Sequence, residues 1–286
     1  MKKYMIIVLL ALPTFLLGQT ITENYVKNTT YLVPVEDGEQ ANVPTLNKIE
    51  GVSYYDGLGR PTQSVAQRAG SDNQDIITIQ EYDGLGRSPK QYLPLPIPSA
   101  NGDYRTGNIQ NDINTYYSAK YPQDIISSGV INAYSETRYE DSWSSRPLEQ
   151  GAPGADWLVN PTADTDHTIK NEYGANTKSI TTEVADDVAI LEVAYLNDDL
   201  TSPSLVYQGV FEADLLHKST IKDENWSPVN GKDHITETFT NDRWQVLLKL
   251  TYNSGIALYK YYIYDLFNNL SYLLSQEGSA AILNCE

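Results

Sequence analysis

Six consecutive residues occur twice in this chain, and their types are those that close a tight turn rather than those that make or break bonds. Tyr55-Asp56-Gly57-Leu58-Gly59-Arg60 recurs as Tyr82-Asp83-Gly84-Leu85-Gly86-Arg87, an offset of 27 residues. An aspartate at the head of a turn accepts hydrogen bonds from nearby backbone amides, and glycines permit positive φ. The arginine that begins the returning strand is placed to pair with an acid or to lie over a tyrosine ring. The expected role of Asp56, Gly57, Gly59 and Arg60, and of Asp83, Gly84, Gly86 and Arg87, is therefore structural. Hairpins stacked at strand spacing would also set the rings of Tyr55 and Tyr82 in register, one over the next. A weaker copy, Tyr264-Asp265-Leu266-Phe267-Asn268-Asn269-Leu270, keeps Tyr264 and Asp265. It puts Asn268 where the second glycine would stand, and asparagine tolerates the left-handed conformation better than most residues.

Other reactive side chains form no constellation. His167, His217 and His234 are far apart, with no second ligand at helix or hairpin spacing. Asp164-Thr165-Asp166 and Asn197-Asp198-Asp199 offer oxygens for calcium but lack the twelve-residue loop with a terminal glutamate, so they read as solvated acidic turns. The 37 acids are too many for spacing to select a catalytic carboxylate pair. Gly57-Leu58-Gly59 has only two of the glycines of a dinucleotide loop, and a strand rather than a helix is expected after it; no Gly-x-Ser-x-Gly elbow occurs. Neither a cofactor nor an enzymatic activity is expected.

Composition narrows the class. The chain has 286 residues, a net charge of -17, 41% hydrophobic residues and a single cysteine, Cys285. That length buries a real core. The acidic balance argues against nucleic acid as a partner, since no basic surface replaces phosphate counterions. One cysteine excludes an internal disulfide and a zinc site built on paired cysteines. Tyrosine is over-represented, 22 against 4 phenylalanines, so the fold favours rings that keep one wet edge.

Residues 1–18 read as a secretory signal peptide: Lys2 and Lys3, then the apolar run Met5–Leu12, then Gly18 before polar Gln19. Its removal takes the charge to -19 and leaves no stretch of membrane-spanning length, so the mature chain is expected to be secreted or at the cell surface.

The elements that must position the repeats are mostly strands. Residues 19–48 are polar and extended. Ile76–Tyr82, Leu216–Ile221, His234–Thr240 and Trp244–Tyr252 read as strands. Val246, Leu248, Leu250 and Tyr252 share one face; Asn253-Ser254-Gly255 turns the chain into Ile256–Tyr264, and Leu270–Leu274 follows as a third strand. Leu93-Pro94-Leu95-Pro96-Ile97-Pro98 reads as a polyproline-like connector. Ile109, Ile113, Tyr116 and Tyr117 lie at helical spacing. The Gly- and Pro-rich stretch Gln150–Pro161 reads as a loop dividing a β region at 49–150 from a second at 151–286. The fold class expected is all-β, antiparallel hairpins and meanders with long loops and one short helix.

The Tyr-Asp…Gly-Arg unit resembles the signature of YD-repeat proteins, which include the RHS group. The mature chain is similar to the uncharacterised domain at the N-terminus of secreted bacterial RHS-repeat proteins, particularly those of Bacteroidetes. Glu149-Gln150-Gly151-Ala152-Pro153-Gly154 and Tyr261-Tyr262-Ile263-Tyr264-Asp265 add to the two exact repeats. The resemblance implies that arrays of such units wind into a large β-shell, able to enclose a C-terminal effector, and that the motif residues are structural. Family members run to many hundreds of residues, whereas Glu286 follows soon after the Tyr264-Asp265 unit. The chain reads either as a fragment of a longer or split gene or as a short stand-alone relative; a terminal unit that would cap the array is not recognisable in 276–286, which favours the fragment.

The function expected is a secreted, non-catalytic structural or interaction module contributing to a β-shell or a cell-surface contact. Its expected partners are downstream YD-repeat or RHS core segments, or surface glycans and proteins. The alternative is a secreted glycan-binding β-module, motivated by the abundance of tyrosine and the four tryptophans.

Overall fold

The computed structural model describes residues 22–162, 164–178, 187–195, 201–275 and 277–278. The signal-peptide expectation for residues 1–18, the Asn197-Asp198-Asp199 turn and nearly all of 276–286 lie outside the described residues. The architecture is mainly β, antiparallel in every strand register described, with one full α-helix among the described residues. No helix among the described residues is long and apolar enough to cross a membrane. The chain forms two compact units: Met1–Glu81 with Gln91–Lys120, and Tyr82–Lys90 with Tyr121–Glu286.

In the first unit, strands β1 (Asn24–Tyr31), β2 (Lys48–Tyr55), β3 (Pro61–Ala66) and β4 (Asp75–Ile79) pair in sequence. Alternation in β2 sends Glu50, Val52 and Tyr54 inward, with Val65 and Ile77 from the next strands. The prolines at 94–98 do not make a connector. Leu95–Ile97 is strand β6, numbered after β5 (Lys90–Tyr92), and pairs with β4 at the sheet edge. An edge strand tolerates the amide missing at Pro96, and burial of Leu95 and Ile97 fixes the strand there. Helix α1 (Ile109–Lys120) begins where Asn108 Oδ1 accepts the Asn111 amide at 2.9 Å, and it buries Ile109 and Ile113.

The second unit is built on a nine-stranded sheet. Its remaining strands are β7 (Tyr134–Tyr139), β8 (Pro147–Gly151), β9 (Ile169–Ala175), β12 (His217–Lys222), β13 (Ile235–Thr240), β14 (Val246–Asn253), β15 (Ile256–Tyr264) and β16 (Leu270–Leu274). The order is β16-β15-β14-β13-β12-β9-β8-β7-β5. A separate hairpin, β10 (Ala189–Tyr195) with β11 (Pro203–Val210), is inserted between β9 and β12. Val188, Ala189 and Val193 from this insertion pack with Leu216, Phe239, Leu248, Leu250, Tyr261 and Ile263 in one core. The turn at Asn253–Gly255 has φ of 52° at Ser254 and 76° at Gly255, both left-handed, as a two-residue hairpin turn requires.

The expected boundary at 150/151 falls inside β8, and the units divide elsewhere. Gly151 looks like linker glycine in the sequence, yet a Cβ there would stand 2.3 Å from the Trp157 carbonyl oxygen, so the glycine permits close backbone approach inside a packed strand end. The division also separates the two sequence repeats, Asp56 going with the first unit and Asp83 with the second.

Candidate functional site

Each repeat folds into the same clamp. The Asp56 amide donates to the Arg60 carbonyl oxygen at 2.9 Å, and the Gly59 amide donates back to Asp56 O at 3.0 Å. Asp56 Oδ1 accepts the Leu58 and Arg60 amides, both at 2.9 Å, while Oδ2 takes Arg60 Nε at 2.8 Å. Asp83 repeats every bond. Leu85 and Arg87 amides donate to Oδ1 at 2.9 Å, and Arg87 Nε donates to Oδ2 at 2.6 Å. Asp265 does the same with Phe267 and Asn269, Asn269 Nδ2 taking the arginine's place at 3.1 Å.

These bonds are made to the charged carboxylate and hold it. The Arg60 amide is the largest influence keeping Asp56 below its ordinary range, and the Asn269 amide does so for Asp265. At Asp83 desolvation, the largest influence, pushes upward, and the Arg87 side chain and amide with the Leu85 amide outweigh it.

The left-handed conformation falls on one residue per turn: Gly59 at φ 77°, Gly86 at 79° and Asn268 at 66°. Gly57 and Gly84 do not have positive φ, contrary to the expectation for the first glycine of each motif, and a Cβ on either meets nothing within 4 Å. Leu266 occupies the equivalent position in the third turn.

Four further clamps were not legible as motifs. Asn241 accepts the Arg243 and Gln245 amides at 3.0 Å, with Trp244 at φ 60° in the glycine position. Glu140 and Arg146 close a longer loop through 2.8–3.1 Å bonds, and Arg146 with Ser142 and Ser144 holds Glu140 far below the usual carboxylate range. Asn176, buried, accepts the Leu215 and Leu216 amides across the inserted hairpin. Asp223 accepts the Asn225 amide and contacts His234 Nδ1 at 3.2 Å. The shared signal is a short polar side chain ending one strand and a polar partner opening the next. Only the glycines made it visible in the first two.

Five of these clamps lie along one end of the nine-stranded sheet, because every second strand connection falls there: Asp83–Arg87, Glu140–Arg146, Asn176–Leu216, Asn241–Gln245 and Asp265–Asn269. Neighbouring turns are joined. Arg87 Nη1 donates to Glu140 O at 2.9 Å and its guanidinium lies 4.9 Å from the Tyr139 ring centroid. Arg146 lies 4.5 Å over Tyr173. His217 stacks on Trp244 at 5.3 Å and reaches Asp242 at 3.4 Å. Arg243 Nη1 reaches Asn268 Oδ1 at 2.6 Å.

Tyr55 and Tyr82, the rings expected in register, belong to different units, and within the second unit Tyr82 and Tyr264 do not share a column. Tyr264 ends β15 and Tyr82 precedes β5, seven strand spacings away, or about 34 Å. All three motif tyrosines are half-buried, whereas Tyr54, beside the first of them, is fully buried and its hydroxyl donates to Gly102 O at 2.7 Å.

The remaining candidates are engaged in structure. His167 Nδ1 lies 3.0 Å from Glu224 O. Asp164 and Asp166 face Lys170 Nζ at 3.8 and 3.0 Å, and buried Glu149 takes the same ammonium at 3.1 Å with Arg138 Nε at 3.2 Å. Burial pushes Asp166 upward, and its bonds to Lys170 and Glu149 carry it below its ordinary range.

An all-β protein of open antiparallel sheets whose hairpin turns share one carboxylate or amide clamp is the class that fold and site define. The chain belongs to the family described as Domain of unknown function (DUF6443), whose model matches residues 27–171, just over half of it. A search of the curated proteins finds no match. Among solved structures, the chain is similar to one titled "Crystal Structure of TcdB2-TccC3-TEV", with 12% identity and a TM-score of 0.45. That match covers 85% of this chain and 10% of the other, so the chain spans about a tenth of its length.

Proposed function

We propose that this chain is a secreted, non-catalytic structural and interaction module, the N-terminal part of an RHS/YD-repeat protein, which adds its hairpins to a β-shell or a cell-surface contact. The observation that carries the reading is the reuse of one clamp. Both Tyr-Asp-Gly-Leu-Gly-Arg copies and the Tyr264-Asp265 copy direct their carboxylates wholly into their own turns. A carboxylate occupied by two backbone amides and a cation or side-chain amide is not poised for acid–base work. Buried Glu149 is likewise bound by Lys170, Arg138 and Thr168.

Strand β16 is the last in the sheet order, and it follows β13, β14 and β15 as a sequential meander. In a repeat array each unit contacts its neighbours, so stability accumulates along the array. The partners proposed are accordingly further Tyr-Asp hairpins. Appending two Tyr-Asp-Gly-Leu-Gly-Arg hairpins after Leu274 should give one cooperative unfolding transition at raised Tm. A separate second transition, or an unchanged Tm, would overturn the reading. Export is tested by the N-terminal residue of the mature protein, expected to be Gln19.

A further inference from the structure

The clamped end of the nine-stranded sheet presents a large apolar side chain at every turn. Leu85 stands on the Asp83 turn, Trp143 on the Glu140 loop, Leu215 beside Asn176, Trp244 on the Asn241 turn, and Leu266 with Phe267 on the Asp265 turn. Trp143 is 89% exposed, Leu266 81%, Trp244 76% and Phe267 70%. None of these is needed by its own clamp, whose bonds run through backbone amides and polar side chains. Trp244 even holds a left-handed φ of 60°, a cost that glycine would avoid.

The turns recur at every second strand, so the tips follow one another at a pitch of about 10 Å. Together the six side chains expose roughly 800 Å² of mostly apolar surface, above the few hundred Å² of the largest patch on a typical monomer. That is also the area each partner contributes to a standard protein–protein interface.

We propose that this row is a self-association surface, on which a second copy of the chain seats its own row antiparallel about a two-fold axis. Area is the first argument and charge is the second. Exposed Asp141 and Arg146 flank Trp143, and exposed Asp242 and Arg243 flank Trp244. A two-fold through the Asn176 turn brings the Trp143 turn onto the Trp244 turn, and each of those two carries an acid and a base to offer the other. A copy of the same row also has the same pitch, so every tip meets a tip, as an isologous contact demands. With a net charge of -17, two copies repel at long range, so the apolar contact must carry the association and screening should strengthen it.

Sedimentation equilibrium of the purified chain, from low to high micromolar concentration, tests the proposal. The expected result is a monomer–dimer equilibrium that tightens as salt is raised. In a Trp143→Ser, Trp244→Asn, Phe267→Ser triple variant it weakens about tenfold or more. Asparagine is chosen at 244 because it accepts the left-handed φ, and an unchanged thermal melt shows that the variant is folded. A wild-type chain that stays monomeric throughout would overturn the proposal, as would a dimer that survives the triple substitution. Binding of the wild-type monomer to phosphatidylcholine vesicles, lost in the variant, would assign the row to a lipid surface instead and equally overturn it.

Discussion

Arg243 donates from Nη1 to Asn268 Oδ1 at 2.6 Å, tying the turn between β13 and β14 to the turn between β15 and β16. Both residues belong to turns closed by their own clamps, so the bond joins two rigid loops. The same relation holds between Arg87 and Glu140 at the other side of the sheet. In each pair the residue that reaches across is an arginine, whose planar fork loses little freedom per bond formed. The row is therefore braced twice, within each turn and between turns.

Within one motif the two glycines should respond differently to the same change. Gly86→Ala forces a Cβ into φ 79° and is expected to cost about 1–2 kcal/mol. Gly84→Ala meets nothing within 4 Å and should be neutral, or stabilising by about 0.5 kcal/mol through the unfolded chain. Denaturant unfolding of the two variants measures the contrast.

Asn176 holds the base of the inserted hairpin. Its Oδ1 accepts the Leu215 and Leu216 amides at 3.0 and 2.8 Å, and its Nδ2 donates to Glu212 O at 2.8 Å. Asn176→Ala removes the side-chain partner of the buried Leu216 amide and of the part-buried Leu215 amide and Glu212 carbonyl, and is expected to cost about 2–3 kcal/mol. The loss should appear as a lowered midpoint in urea with an unchanged m-value.

Glu50 should make stability depend on acid. Burial, the largest influence, pushes its carboxyl upward, but Lys27, Lys48 and Arg68 at 3.0, 3.4 and 2.6 Å bring it down from 4.5 to about 2. The unfolded chain therefore takes up the proton first as pH falls. The stabilisation is fully present above about pH 5 and is lost on descending toward pH 2. Screening by water around the cations reduces the full value to about 2 kcal/mol. A Glu50→Gln variant should be less stable at neutral pH and show a flatter stability curve between pH 5 and 2; a curve parallel to wild type would contradict this.

Much of the fold was legible because its strands alternate cleanly. Ile256–Tyr264 and Leu270–Leu274 have the bounds that their residues suggest, and Ile109 with Ile113 marks the buried face of α1. The proline stretch misled because a proline pattern does not reveal that Leu95 and Ile97 have a core to enter. Gly151 misled for a related reason, since closeness of backbone to Trp157 is a tertiary fact. In the site, the glycine-marked clamps at Asp56 and Asp83 could be read directly. Those headed by Glu140, Asn176, Asp223 and Asn241 could not, because their partners differ in type and, at Asn176, stand 40 residues away.

The central claim is that clamps hold the turns along one end of the sheet, and amide hydrogen exchange measures this most directly. The amides of Leu85, Arg87, Arg243, Gln245, Phe267 and Asn269 donate into their clamps, whereas in the Asn253–Gly255 turn at the opposite end the Gly255 amide is received at 2.8 Å by Asp233, outside the turn. The account expects slow exchange at all six, and a local loss of protection at Leu85 and Arg87 in Asp83→Ala with the sheet otherwise intact. Exchange at those six amides as fast as in an unfolded peptide, or protection at Leu85 and Arg87 that survives Asp83→Ala, would contradict it.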